Sequence, residues 1–176
     1  LYPSAALLQC VALVPILYFG ADKKIRLRVI MTSGMYMGLT YTIPQIATLR
    51  LPIPITLVLL LELTTMMILF AGISAVLLRK SPVFVSLSVG ALFVVLDWTN
   101  YTSVPIWGTA QSFVRCWSQY PYLIQSLSLA GLSGIGFALG SLESLLVSYM
   151  MHIKIREKVL KTALVEILVL ASVNIF

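Results

Sequence analysis

Six carboxylates, two thiols and one imidazole are the obvious means of acid–base, nucleophilic or metal chemistry in this 176-residue sequence. Four of the acids, Glu62, Asp97, Glu143 and Glu166, lie within or at the ends of long apolar runs. A buried carboxylate costs several kcal/mol unless it is paired or protonated. Each of the four should therefore face a neighbouring helix, a wet cavity or an interface, and none should face hydrocarbon. Glu62 lies nearest the middle of its run and is the strongest candidate for a buried functional acid, although such a residue often only hydrogen-bonds an adjacent helix. Asp97, beside Trp98 at the end of its run, is the least costly to place, and Glu143 falls far along a longer run. No Lys or His lies at the depth of Glu62 in the other runs to complete a proton relay.

The thiols add no constellation. Cys10 and Cys116 are far apart and lack CxxC or Cys/His spacing, so neither a metal site nor a disulfide framework follows. Cys10 sits in an apolar run as a small core residue, while Cys116 lies beside Trp117 in a polar connection and should be accessible. His152, among Lys154, Arg156 and Lys158, belongs to a solvated basic loop. No catalytic set, no metal site and no cofactor site is expected in this chain.

The elements that must position the acids follow from composition. Hydrophobic residues make up 60% of the chain and charged residues 10%, against about 25% charged in a soluble domain. A mean hydropathy of +1.00, spread over the whole length, excludes a single anchor on a soluble body. The net charge of +6 does not point to nucleic acid, because Lys and Arg cluster in short connections between apolar runs. Charges, Pro and Gly divide the chain into six runs of about the 20 residues that a spanning helix needs. They cover roughly residues 4–20, 27–49, 53–78, 82–98, 122–151 and 159–176. The runs are too long for strands and lack the alternation of a transmembrane barrel. The expected fold is all-α, a polytopic transmembrane bundle of about six spanning helices in one domain.

Orientation follows from the basic residues. Lys23, Lys24, Arg26 and Arg28, then Arg79 and Lys80, then Lys154, Arg156, Lys158 and Lys161 occupy alternate connections, leaving only Arg50 and Arg115 for the others. That asymmetry keeps the basic loops cytoplasmic and places both ends of the chain outside. The chain begins at Leu1 and stops at Phe176 inside an apolar run, so it reads as a fragment of something longer, and its first run lacks the flanks of a signal peptide.

The longest connection, from Thr99 to Pro121, falls on the outer side and carries or borders Trp98, Tyr101, Trp107, Phe113, Trp117, Tyr120 and Tyr122. Such rings prefer the headgroup layer. The loop should lie along the membrane, either as a simple aromatic belt or as a lipid-contacting lip anchored by Trp107. Gly34 with Gly38, and Gly136 with Gly140, have the spacing that lets helix backbones approach closely. Pro15 and Pro44 fall inside the first and second runs and should kink them.

The stretch from Asp97 to Phe137, DWTNYTSVPIWGTAQSFVRCWSQYPYLIQSLSLAGLSGIGF, resembles the outer-loop region of the bacterial apolipoprotein N-acyltransferase family. Pro105, Trp107 and Gly108 match a Pro/Trp/Gly turn that follows an acidic, Trp-flanked helix end. Pro121, Leu123 or Ile124, Gln125, Gly131, Gly134 and Phe137 match the segment after it, while Asn100 stands where many members carry Arg. The resemblance implies a multi-pass domain of the bacterial inner (plasma) membrane. Its partners would be phospholipid, as acyl donor, and a lipoprotein substrate reached through a nitrilase-like Glu-Lys-Cys domain outside this chain. It also implies that Asp97, Trp98, Pro105, Trp107, Gly108, Trp117 and Gln125 line a lipid-access loop. Two rivals stay open: a small transporter or channel subunit using Glu62 and Glu143, although no inverted repeat is evident, and a membrane scaffold without catalysis.

Overall fold

The computed structural model describes residues 8–49, 51–80, 84–103, 127–151 and 160–165. Five helices are assigned: α1 (Val14–Ala21), α2 (Leu27–Leu49), α3 (Ile53–Leu78), α4 (Phe84–Ser103) and α5 (Leu127–Met151). Residues 160–165 are helical as well, and no strand occurs among the described residues. The fold is all-α, as expected. Two helical stretches, Ile53–Leu78 and Gly131–Met151, are long and apolar enough to cross a bilayer.

Sequence punctuation explains the boundaries. Pro52 and Pro54 begin α3, where the missing proline N–H costs nothing because the first turn has no intrahelical acceptor for it. Pro15 does the same for α1 and so starts that helix rather than kinking it. The first run thus differs from expectation: Leu8 is helical, residues 9–13 form turns, and α1 has only eight residues, about 12 Å of rise. Pro44 does lie inside α2. Beyond 98, α4 continues to Ser103, and the hydroxyls of Thr99 and Thr102 donate back to the carbonyls of Val95 and Trp98 at 2.7 and 2.8 Å. Gly131 breaks the regularity of α5 with φ 64°, a left-handed conformation in which any Cβ would be strained.

α3 is the hub, packing against α1, α2 and α4, while α5 lies along α4 and also meets α1. The main core joins Leu13 and Leu17 to Met66, Phe70, Phe93, Leu96 and Leu139, with the Phe70 and Phe93 rings edge to face at 6.0 Å. The α2/α3 contact is closer than side chains normally allow. A Cβ on Gly38 would lie 2.6 Å from Thr64 Cα, and one on Gly34 would lie 2.7 Å from the Met67 carbonyl oxygen. Across the α4/α5 contact, Gly90 lies against Ser141 Oγ and the Phe137 carbonyl, and Gly140 lies against Gly90 in turn.

Polar and apolar residues are distributed in an unusual sense. Thr42, Glu62, Ser74, Asp97, Asn100, Ser141, Glu143, Ser144 and Ser148 are buried, whereas Leu57, Leu61, Leu69, Ile73 and Val76 of α3 are exposed. Thr32 and Thr40, on the exposed side of α2, return their hydroxyls to the Arg28 and Tyr36 carbonyls at 2.8 and 2.9 Å. An outer surface of this kind asks little of water.

The glycine contacts make a test. Gly38→Ala should destabilise the purified protein by about 1 to 3 kcal/mol through overpacking. Gly72→Ala, whose new methyl would meet only the flexible Met31 side chain at 3.5 Å, should be neutral or stabilising by up to about 1 kcal/mol, since Ala favours a helix over Gly. Unfolding by denaturing detergent checks both.

Candidate functional site

The eight-residue α1 is too short to hold its own shape, since isolated helices below about 12 residues are marginal. Two charged side chains from distant helices hold its ends. At the start, Glu143 of α5 accepts a hydrogen bond from the Leu13 backbone N–H at 3.0 Å through Oε1. At the end, the Arg79 guanidinium at the C-terminus of α3 donates through Nε to the Gly20 carbonyl at 2.9 Å. Its Nη2 donates to the Asp22 and Ile25 carbonyls at 3.0 and 2.8 Å. The signs are favourable at both ends, because a helix presents unpaired N–H groups and partial positive charge at its start and the reverse at its end. Asp22 completes the turn by accepting the Lys24 N–H at 2.9 Å. Glu143 is 1% exposed, and Ser141, Ser144 and Ser148 are buried beside it on α5.

Glu62 has a different environment. It is 8% exposed, and neither of its carboxylate oxygens has a hydrogen-bond partner among the described residues. It borders an open groove of about 320 Å³ lined by Leu57, Val58, Leu61 and Ser103. Among the described residues of that lining, Ser103 supplies the only polar side chain apart from Glu62. A groove of this size is at the lower end of ligand-binding volumes, which start at about 300 Å³. By contrast, the cavity beside Leu13, bounded by Met66, Met67, Phe70, Phe93 and Leu96, holds about 10 Å³ and is wholly apolar, a space that stays dry.

Asp97 departs in part from the sequence reading. Its burial, at 4% exposure, agrees with a carboxylate kept away from hydrocarbon, but it does not end its helix, because α4 runs six residues beyond it and buries Asn100 on the same side. Trp98, its neighbour, points outward at 56% exposure. The structure therefore separates the two. Pro105, Trp107, Gly108, Trp117 and Gln125 lie outside the described residues, as do Cys116, His152 and Glu166. Cys10 is half-buried against the main core. Among the described residues no three His, Cys, Asp or Glu side chains gather in a way that could hold a metal ion.

Sequence reasoning ranked Glu62 above Glu143 by depth and missed the cap that Glu143 makes. Two signals were available: Pro15 fixes the start of α1, and Ser141, Ser144 and Ser148 mark a polar stripe at helical spacing next to Glu143. Arg79 was counted only as a loop charge, and nothing in its local sequence announces three carbonyl partners more than 50 residues away. No family model, curated protein or solved structure matches this chain.

Glu143 generates the second test. Glu143→Gln keeps an acceptor for the Leu13 N–H and should cost little. Glu143→Leu should cost about 1 to 3 kcal/mol, the penalty for a buried N–H with no acceptor. Detergent unfolding resolves the difference, and equal losses for both variants would mean that charge, and not the hydrogen bond, holds α1.

Proposed function

We propose that this chain is the membrane domain of an apolipoprotein N-acyltransferase-like protein, with about six helices crossing the bacterial inner membrane and both ends on the outer side. Its role is to seat a separate extracytoplasmic catalytic domain and to give phospholipid acyl chains lateral entry towards it. Acyl transfer from phospholipid to the N-terminal amine of a lipoprotein is then the activity of the whole assembly. The helices of this chain supply position, and the acyl chemistry lies elsewhere.

The observation that carries this reading is the placement of the matching residues. Asp97 lies in the last third of α4, and Gly131, Gly134 and Phe137 lie in the first half of α5, which packs along α4. The connection that resembles the family thus springs from two neighbouring helices at one end of the bundle. Gly131, one of the matched glycines, has φ 64°, so a glycine there has a physical reason. The membrane setting draws support from the buried polar residues and exposed leucines described above, and from the alternation of Lys and Arg along the chain. A transporter reading would need Glu62 and Glu143 in one polar path. Glu143 instead holds the Leu13 N–H through Oε1, and the space beside Leu13 is lined by apolar side chains.

A cell line depleted of its own N-acyltransferase and given the complete gene provides the test. Mass spectrometry of a reporter lipoprotein should show one additional acyl chain on its N-terminal amine. A protein present in the membrane at normal levels with no such gain contradicts the reading.

A further inference from the structure

Glu62 poses a problem that its surroundings leave unsolved. Its carboxylate is more than nine-tenths buried, both oxygens are without a partner among the described residues, and it borders the groove of about 320 Å³ between α3 and the end of α4. A carboxylate that stays ionised out of water needs a cation or hydrogen-bond donors, and otherwise takes up a proton. No described cation supplies them. Arg79, on the same helix, lies 17 residues further along, about 25 Å away, and its guanidinium is held by the Gly20, Asp22 and Ile25 carbonyls. Lys80 adjoins it at the same end, and Lys23, Lys24, Arg26 and Arg28 belong to the connection that Arg79 clamps.

The rest of the lining narrows the class of partner. Leu57, Val58 and Leu61 offer hydrocarbon, and Ser103 offers one hydroxyl. Leu57 and Leu61 are strongly exposed, so the groove opens sideways onto the apolar surface of the bundle and not into a polar channel. A ligand that satisfies the whole groove carries positive charge and donors at one end and an aliphatic chain at the other.

We propose that this groove binds a long-chain primary amine, with its ammonium on Glu62 and its chain along Leu57, Val58 and Leu61. Charge complementarity selects the amine over a neutral alcohol of equal length: a charge-assisted hydrogen bond is roughly twice as strong as a neutral one, and an ammonium has three donors for two carboxylate oxygens. The site uses only described helices and does not require acyl transfer by any attached domain, so it stands or falls separately from the proposed function.

The test measures equilibrium binding of radiolabelled hexadecylamine and hexadecanol to the full chain in phosphatidylcholine nanodiscs, which contain no competing primary amine. The wild type should bind the amine saturably and about tenfold more tightly than the alcohol. Glu62→Gln, which keeps size and hydrogen bonding, should abolish that preference while leaving alcohol binding unchanged. Leu57→Trp, which fills the groove and keeps the carboxylate, should weaken both ligands. Equal affinity for the two ligands in the wild type, a preference that survives Glu62→Gln, or binding indifferent to Leu57→Trp would each overturn the proposal.

Discussion

The arrangement of this bundle depends on one short helix that cannot stand alone. α1 begins and ends among other helices, so its first N–H groups and last carbonyls must find partners in the protein. Glu143 reaches it from α5 and Arg79 from α3, and their hydrogen bonds span 130 and up to 59 residues of sequence. The two charges complement the ends of the α1 dipole and, in doing so, tie the hub helix to the fifth helix through a third element. Leu13 and Leu17 then enter the core beside Phe70 and Phe93. Loss of either clamp would free an eight-residue segment whose packing links α3 to α5.

Around this clamp the bundle keeps its polar groups inside. Side chains that would suit water are buried in α3, α4 and α5, and hydroxyls on outward faces bond their own helix. Such economy is what an apolar solvent demands, because it offers no hydrogen bonds to a stray donor or acceptor. Close helix approach at Gly34, Gly38, Gly90 and Gly140 serves the same end. Where apolar burial gives no advantage over lipid, packing at short range has to hold helices together. Glu62 is the buried carboxylate with neither oxygen partnered among the described residues, and its groove is where the bundle has chemistry to offer a ligand.

Much of this was legible in the sequence, and the reasons for the misses are physical. α2 and α3 have the limits that charges and prolines indicated, 27–49 and 53–78, because charged residues and Pro52 bound the two apolar runs. The glycine spacing at Gly34 and Gly38 announced the α2/α3 contact. α1 was misjudged because hydropathy cannot see that a proline in an apolar run opens a helix. The end of α4 was placed at residue 98, short of Ser103, because Thr99 and Thr102, polar by type, satisfy themselves within α4 and let it continue. The partners of Glu143 and Arg79 depend on tertiary packing that no local pattern encodes. Pro105, Trp107, Gly108, Pro121 and Gln125, which carry much of the family resemblance, lie outside the described residues, as does Trp117.

The central claim is that α3 lies in hydrocarbon with its leucine face outward and its Glu62 face inward. Nitroxide labels placed one at a time from Ile53 to Leu78 in bilayer-reconstituted protein measure this directly through their collisions with oxygen and with a water-soluble nickel chelate. Oxygen collisions should rise and fall with a period of about 3.6 residues, high at Leu61, Leu69 and Ile73 and low at Leu63, Phe70 and Ser74. The nickel chelate should be excluded from all of these positions. Access for the chelate at Leu69 or Ile73, with oxygen no longer favoured there, would show α3 facing water and would contradict the account.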